Sequence, residues 1–167
     1  MILHLVYVLS FVVFFILQTA VFSRLTILAG SADLILLFLA AWSLQERVKY
    51  NWIWAAIVGL LISIISAMPF FAPMIGYLGV VGISKLLQKR VWRIPMLAMI
   101  IVTLLGTFFQ HIIYMIFLQI AGITLSWRQS LDSVIVPSVL LNLIFALPIF
   151  AIVNDLVGRI YPLEVEA

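Results

Sequence analysis

The run from Ile94 to Ala121 contains no Lys, Arg, Asp or Glu. A helix over this run, at about 1.5 Å per residue, is longer than a hydrocarbon core of about 30 Å is thick. In lipid every backbone N–H and C=O must find its partner inside the protein, so such a run reads as a tilted or protruding transmembrane helix. The rest of the chain agrees. Of its 167 residues 66% are hydrophobic and 9% charged, against about 25% charged in a soluble domain. An integral membrane protein with little room for a soluble domain is expected.

Charge punctuates the apolar runs. Lys85 to Arg93 holds four of the nine basic residues. A charged side chain at the bilayer centre is costly, and basic loops stay on the cytoplasmic face. The stretch therefore reads as a cytoplasmic loop, with Trp92 at headgroup level. A second basic loop, Gln45 to Asn51, contains Glu46, Arg47 and Lys49. Trp52 and Trp54 follow it at interface depth.

The expected fold is one all-α transmembrane domain with about six spans, near residues 2–22, 32–45, 52–68, 73–88, 94–121 and 134–153. Six spans put both termini on one side. Arg47, Lys49, Lys85, Lys89, Arg90, Arg93 and Arg159 fall on that side, and Arg24 and Arg128 on the other. Both termini are therefore expected in the cytoplasm. The first span has no Lys or Arg before it and no small-residue cleavage site after it, so it is expected to be kept as a signal-anchor. The net charge of +3 follows this layout and forms no nucleic-acid stripe.

Several spans carry distinct features. Asp33 precedes the second span, where a helix N-terminus favours negative charge. The apolar runs 34–44 and 74–87 are shorter than the roughly 20 residues of a full span. They must borrow flanking residues, thin the membrane or be shielded by neighbours. Ala55, Gly59, Ser63 and Ala67 recur every four residues, a stripe that lets another helix come close, either within the chain or from a partner. Gly76, Gly79 and Gly82 give the fourth span a thin surface, suited to tight packing or to a ligand. Gln110 and His111 lie inside the fifth span. With no acidic residue there, a structural hydrogen bond is expected rather than a proton path. Residues 122–133 read as a polar connection. In the last span Pro137 fits the first turn, Asn142 is a buried amide in need of a partner, and Pro148 should kink the helix and free a carbonyl near Ile144. Asn154, Asp155 and Arg159 begin a short tail.

Catalytic patterns are missing from the sequence. The two histidines, His4 and His111, form no His-Glu-x-x-His pattern, and there is neither a phosphate-binding glycine loop nor a Gly-x-Ser-x-Gly elbow. The acidic residues sit at span ends, whereas ion-coupled transporters place a carboxylate near the midplane. Without cysteine there is no disulfide or thiolate chemistry. No enzyme activity, metal or cofactor is expected. Action by contact, or binding of an uncharged ligand, is left.

Three stretches resemble a known family. Leu17-Gln18 closes the first span. Ala32-Asp33-Leu34-Ile35-Leu36-Leu37 opens the second. Pro137-Ser-Val-Leu-Leu-Asn142-Leu-Ile-Phe-Ala-Leu-Pro148 forms the last. With the length and six-span layout, these are similar to MreD, the small membrane subunit of the bacterial rod-shape (elongation) complex. Ala32 stands where that family usually has proline. Ser66-Ala67-Met68 stands where it often has an acidic residue.

The resemblance implies a non-enzymatic scaffold in the bacterial inner membrane that regulates lateral peptidoglycan synthesis and cell shape. Its main partner would be an MreC-like single-span protein. Indirect partners would be a RodA-type glycosyltransferase, its transpeptidase and MreB, besides membrane lipids. Candidate partner-binding residues are Asp33, Gly59, Asn142, Phe145, Pro148 and Ile149. The family also looks like the S-components, the substrate-binding subunits of energy-coupling-factor vitamin transporters. A vitamin-binding subunit is therefore the alternative function. Such a subunit needs convergent polar side chains. Here Gln18, Gln110, His111, Gln119 and Asn142 are expected to be scattered over three helices, which favours the scaffold.

Overall fold

The computed structural model describes residues 2–46, 48, 50–90 and 94–160. Arg47, Lys49, Trp92 and Arg93 of the two basic stretches lie outside the described residues. Six helices pack into one bundle among those described: α1 Ile2–Ala20, α2 Leu34–Ser43, α3 Asn51–Ile65, α4 Ala72–Arg90, α5 Pro95–Ile120 and α6 Trp127–Ile160. Helices α5 and α6 are long and apolar enough to cross a membrane.

Helix α2 is the axis of the bundle. All ten of its residues are buried, and it packs against α1, α3, α4, α5 and α6. A helix that is apolar all round belongs inside a protein, and shielding by neighbours accommodates one this short. Trp42 is accordingly a core residue rather than an interfacial one. It meets the Tyr7 ring edge-on at 4.9 Å, and Tyr7 stacks on Trp54 at 4.2 Å.

Small residues set the spacing of α3, α4 and α5. A Cβ added to Gly59 would lie 2.5 Å from the Met74 Cα, so the α3 stripe faces α4 of the same chain. A Cβ on Gly79 would overlap the Phe109 ring of α5. The α4 glycines thus serve tight packing. The stripe stops at Ser63, because α3 ends at Ile65 and Ala67 beyond it is exposed.

Four sequence expectations are corrected. First, α4 continues to Arg90, so Lys85 to Arg90 is helix and not loop. Lys85 Nζ donates to the Val48 carbonyl at 3.4 Å and to Gln88 Oε1 at 3.1 Å, and Gln88 Nε2 donates to the Leu44 carbonyl at 3.1 Å. Partners for carbonyls beyond the end of α2 hold this part of α4 in place. Second, the mostly helical fold carries a small strand pair in what reads as a plain connection. A short antiparallel hairpin, β1 Thr26–Ile27 and β2 Gly30–Ser31, joins α1 to α2. It turns through Leu28 at φ 54°.

Third, α6 starts at Trp127, includes a π-helical turn at Leu131–Ile135, and runs unbroken through Pro148 to Ile160. Residues 127–133 of the expected polar connection and residues 154–160 of the expected tail are therefore helical. Fourth, Pro137 lies well inside α6 and not in its first turn. A proline there cannot donate to the carbonyl four residues earlier. The Ser133 carbonyl instead accepts the Ala29 N–H of the hairpin at 3.0 Å. The proline thus frees an acceptor that the hairpin occupies.

Candidate functional site

The site is built around the N-terminus of α2. A helix N-terminus leaves N–H groups without intrahelical partners, and burial makes each of them costly. Three helices meet that need. Asp33 caps α2, its Oδ1 accepting the Leu36 N–H at 2.9 Å. The Gln18 amide of α1 accepts the Leu34 N–H at 2.7 Å and donates to the Ala32 carbonyl at 3.0 Å. Asn142 Oδ1 of α6 accepts the Asp33 N–H at 2.7 Å.

The network then spreads across the bundle. Asp33 Oδ2 accepts from Tyr77 Oη of α4 and from Gln110 Nε2 of α5, both at 3.0 Å. Gln110 Nε2 also donates to Tyr114 Oη at 2.8 Å. Asn142 Nδ2 donates to Thr107 Oγ1 at 2.9 Å. The Asp33 carboxylate thereby gathers side chains from α4 and α5, while α1 and α6 bind the backbone of residues 32–34 beside it.

This corrects the expectation of scattered polar residues. Gln110 and Asn142 meet at Asp33 and Gln18 at its neighbours Ala32 and Leu34, while Gln119 is exposed and stands apart. Tyr77, Thr107 and Tyr114 belong to the network and were missed. Tyr77 lies 44 residues from Asp33 along the chain, and a tyrosine in an apolar span carries no local signal of such a contact. A search for every hydrogen-bonding side chain inside the apolar runs would have found all three.

The candidate partner-binding residues divide by position. Asp33, Gly59, Asn142 and Ile149 are engaged inside the bundle. Asn142 is fully buried and Ile149 belongs to the core. Phe145 is half-buried with its ring edge-on to Phe22 at 4.8 Å, and Pro148 is exposed. Loss of the Asn142 amide has a defined expected outcome. Asn142→Leu strands the buried Asp33 N–H and removes the donor to Thr107, lowering stability by about 1–3 kcal/mol. Thermal unfolding in detergent measures this; a variant as stable as the parent would show that the amide ties nothing together.

A cavity of about 410 Å³ borders the network at the hairpin end. Asp33, Gln110, His111 and Tyr114 supply much of its polar wall, and Met115, Leu118 and Leu125 part of its apolar wall. Ser130, Val134 and Ile135, in and beside the π-helical turn, close one side. His111 is pinned by a 2.8 Å contact between Nδ1 and the Thr107 carbonyl. A carbonyl only accepts, so Nδ1 carries the proton and Nε2 of the neutral ring is left as an acceptor. A second cavity, about 430 Å³, lies at the opposite end, with Gln45, Glu46, Gln88 and Asn154 in its wall.

The chemistry available at the first site is hydrogen bonding beside one carboxylate. No group of three His, Cys, Asp or Glu able to hold a metal occurs among the described residues. The chain matches no protein-family model, no curated protein and no solved structure.

Proposed function

We propose that this chain is a multi-pass, non-enzymatic membrane scaffold of the MreD type. In this reading it binds an MreC-like single-span partner and so regulates bacterial cell-wall elongation. One observation carries the proposal. The three stretches that resemble that family, around Gln18, Asp33 and Asn142, meet in one hydrogen-bonded cluster. The cluster spends its polar groups largely on one another, as a rigid framework requires, rather than holding them ready for chemistry. Large apolar side chains stay outside the bundle, among them Leu9, Ile16, Ile144 and Ile152. They suit lipid or a partner helix.

The proposed layout has six spans, both termini in the cytoplasm and the hairpin outside. The natural absence of cysteine makes it testable by single-cysteine labelling in intact cells. Leu28→Cys and Ile123→Cys, both at exposed positions, are expected to react with an impermeant maleimide added outside. Lys89→Cys is expected to react only after the cells are permeabilised. Outside labelling of Lys89→Cys would overturn the layout.

The scaffold itself is tested by co-purifying a tagged MreC-like protein from mild detergent. Retention by wild type and reduced retention by Phe145→Ala are expected. A second reading, a small-molecule-binding subunit of the energy-coupling-factor type, is favoured by the 410 Å³ cavity, which falls in the range of ligand pockets. Retention of a vitamin without retention of the partner would replace the first reading with the second.

A further inference from the structure

The cavity beside Asp33 has an unbalanced wall. Gln110 is 1% exposed, and its Oε1 is buried without a hydrogen-bond partner. Both hydrogens of the same amide are committed, to Asp33 and to Tyr114, so turning the amide over would only strand a donor in place of the acceptor. Asp33 Oδ1 accepts one hydrogen bond, from Leu36, and has capacity for another. His111 adds a free ring acceptor to the same wall. These positions accept, and the donors on the wall are the neutral hydroxyls of residues such as Ser130, Ser138 and Tyr114. No Lys or Arg lines the cavity, and among the described residues none pairs with Asp33.

Asp33 is half-buried and its three donors are all neutral, so the site still favours a positive charge beside the carboxylate. Water could donate to Asp33 Oδ1, but it would neither balance the charge nor cover the apolar wall. An ammonium group offers three N–H donors and no acceptor, and it carries the missing charge. We propose that the cavity binds an amphipathic primary amine as its ammonium ion. The nitrogen donates to Asp33, the half-buried carboxylate on the cavity wall, and the hydrocarbon part lies along Met115, Leu118 and Leu125. The ammonium could be that of a free amine or of an aminophospholipid headgroup. The site stands on the cavity and does not depend on the scaffold reading, because partner retention is measured separately.

The test uses the full chain in phosphatidylglycerol nanodiscs, with 2-phenylethylamine as probe and 2-phenylethanol as its neutral control. The amine is expected to raise the unfolding temperature and to bind at least about tenfold more tightly than the alcohol. Asp33→Asn, which keeps a capping oxygen, should lose about tenfold or more of the amine affinity. Met115→Trp fills the cavity without touching the network, so it should abolish binding while leaving the Asp33 contacts in place. Native mass spectrometry of protein extracted from bacterial membranes distinguishes the sources. Retained phosphatidylethanolamine identifies the headgroup, and amine binding with none retained identifies a free amine. Equal binding of amine and alcohol would overturn the proposal, as would undiminished binding by a folded Asp33→Asn or Met115→Trp. So would the absence of both amine binding and retained aminophospholipid.

Discussion

Asp33→Ala is expected to lower the stability of the bundle by about 2–4 kcal/mol, the largest effect of any single polar substitution in the chain. The substitution deletes the α2 cap, whose loss typically costs about 0.5–2 kcal/mol. It also strands the Tyr77 hydroxyl and one hydrogen of the Gln110 amide, which now share Asp33 Oδ2. Stranded buried donors cost about 1–3 kcal/mol each. The sum is reduced here because Asp33 is half-buried and water from the cavity can reach part of the gap. Asp33→Asn behaves differently. It retains a capping oxygen, and the Tyr77 hydroxyl can rotate to accept from the new amide. The Gln110 Nε2–H loses its acceptor, so a loss of about 1–2 kcal/mol is expected, smaller than for alanine because the cap and the Tyr77 contact are kept. Equilibrium unfolding in mixed micelles, followed by tryptophan fluorescence, compares the two. An alanine variant as stable as the asparagine one would show that Asp33 does not organise the network.

Gly59→Leu is the second large effect, and it acts through backbone contact. The new Cβ would lie 2.5 Å from the Met74 Cα and 3.1 Å from its Cβ. A backbone carbon cannot swing aside as a side-chain tip can, so α3 and α4 must part. Overpacking of this kind costs about 1–3 kcal/mol. Separating α3 from α4 also loosens the seat of Tyr77, so the Asp33 network weakens with it. Gly158→Leu is the matched control, because nothing lies within 4 Å of a Cβ there. It should leave the unfolding transition where it is or raise it, since leucine favours helix over glycine. An unchanged transition in Gly59→Leu would mean that α3 and α4 part without cost and that Gly59 does not set their spacing. A normal transition with a lost MreC-like partner would move the role of the stripe from packing to partner binding.

Much of the helix layout was legible in the sequence because apolar runs report helices directly. Residues 94–121 anticipate α5 Pro95–Ile120, and Pro95 begins that helix, where its missing N–H costs nothing. Asp33 is the cap of α2 for the same local reason, a short acceptor just before an apolar run. The limits of α4 and α6 were not legible. Lys85, Trp127 and Arg128 were read as loop because their polarity matches loops, yet each is helical. Charge and aromatic content say where a segment meets water, not where its backbone stops being helical. The hairpin was hidden too, since two-residue strands leave no periodicity to read.

By itself the sequence determined which long apolar runs are helical, that Asp33 suits a helix N-terminus, and that Gln110 and Asn142 need hydrogen-bond partners. Only the tertiary structure decided that they satisfy one another. Asn142 is 109 residues from Asp33 along the chain and Gln110 is 77; no local pattern encodes a contact over such separations. It also decided that Gly30 lies beneath α6, where a Cβ would meet the Val134 carbonyl, Pro137 and the Ser138 nitrogen, each at 2.7 Å. The cavity beside Asp33 follows from the same packing, because it is bounded by helices that the chain reaches at different times and closes only when all of them are in place.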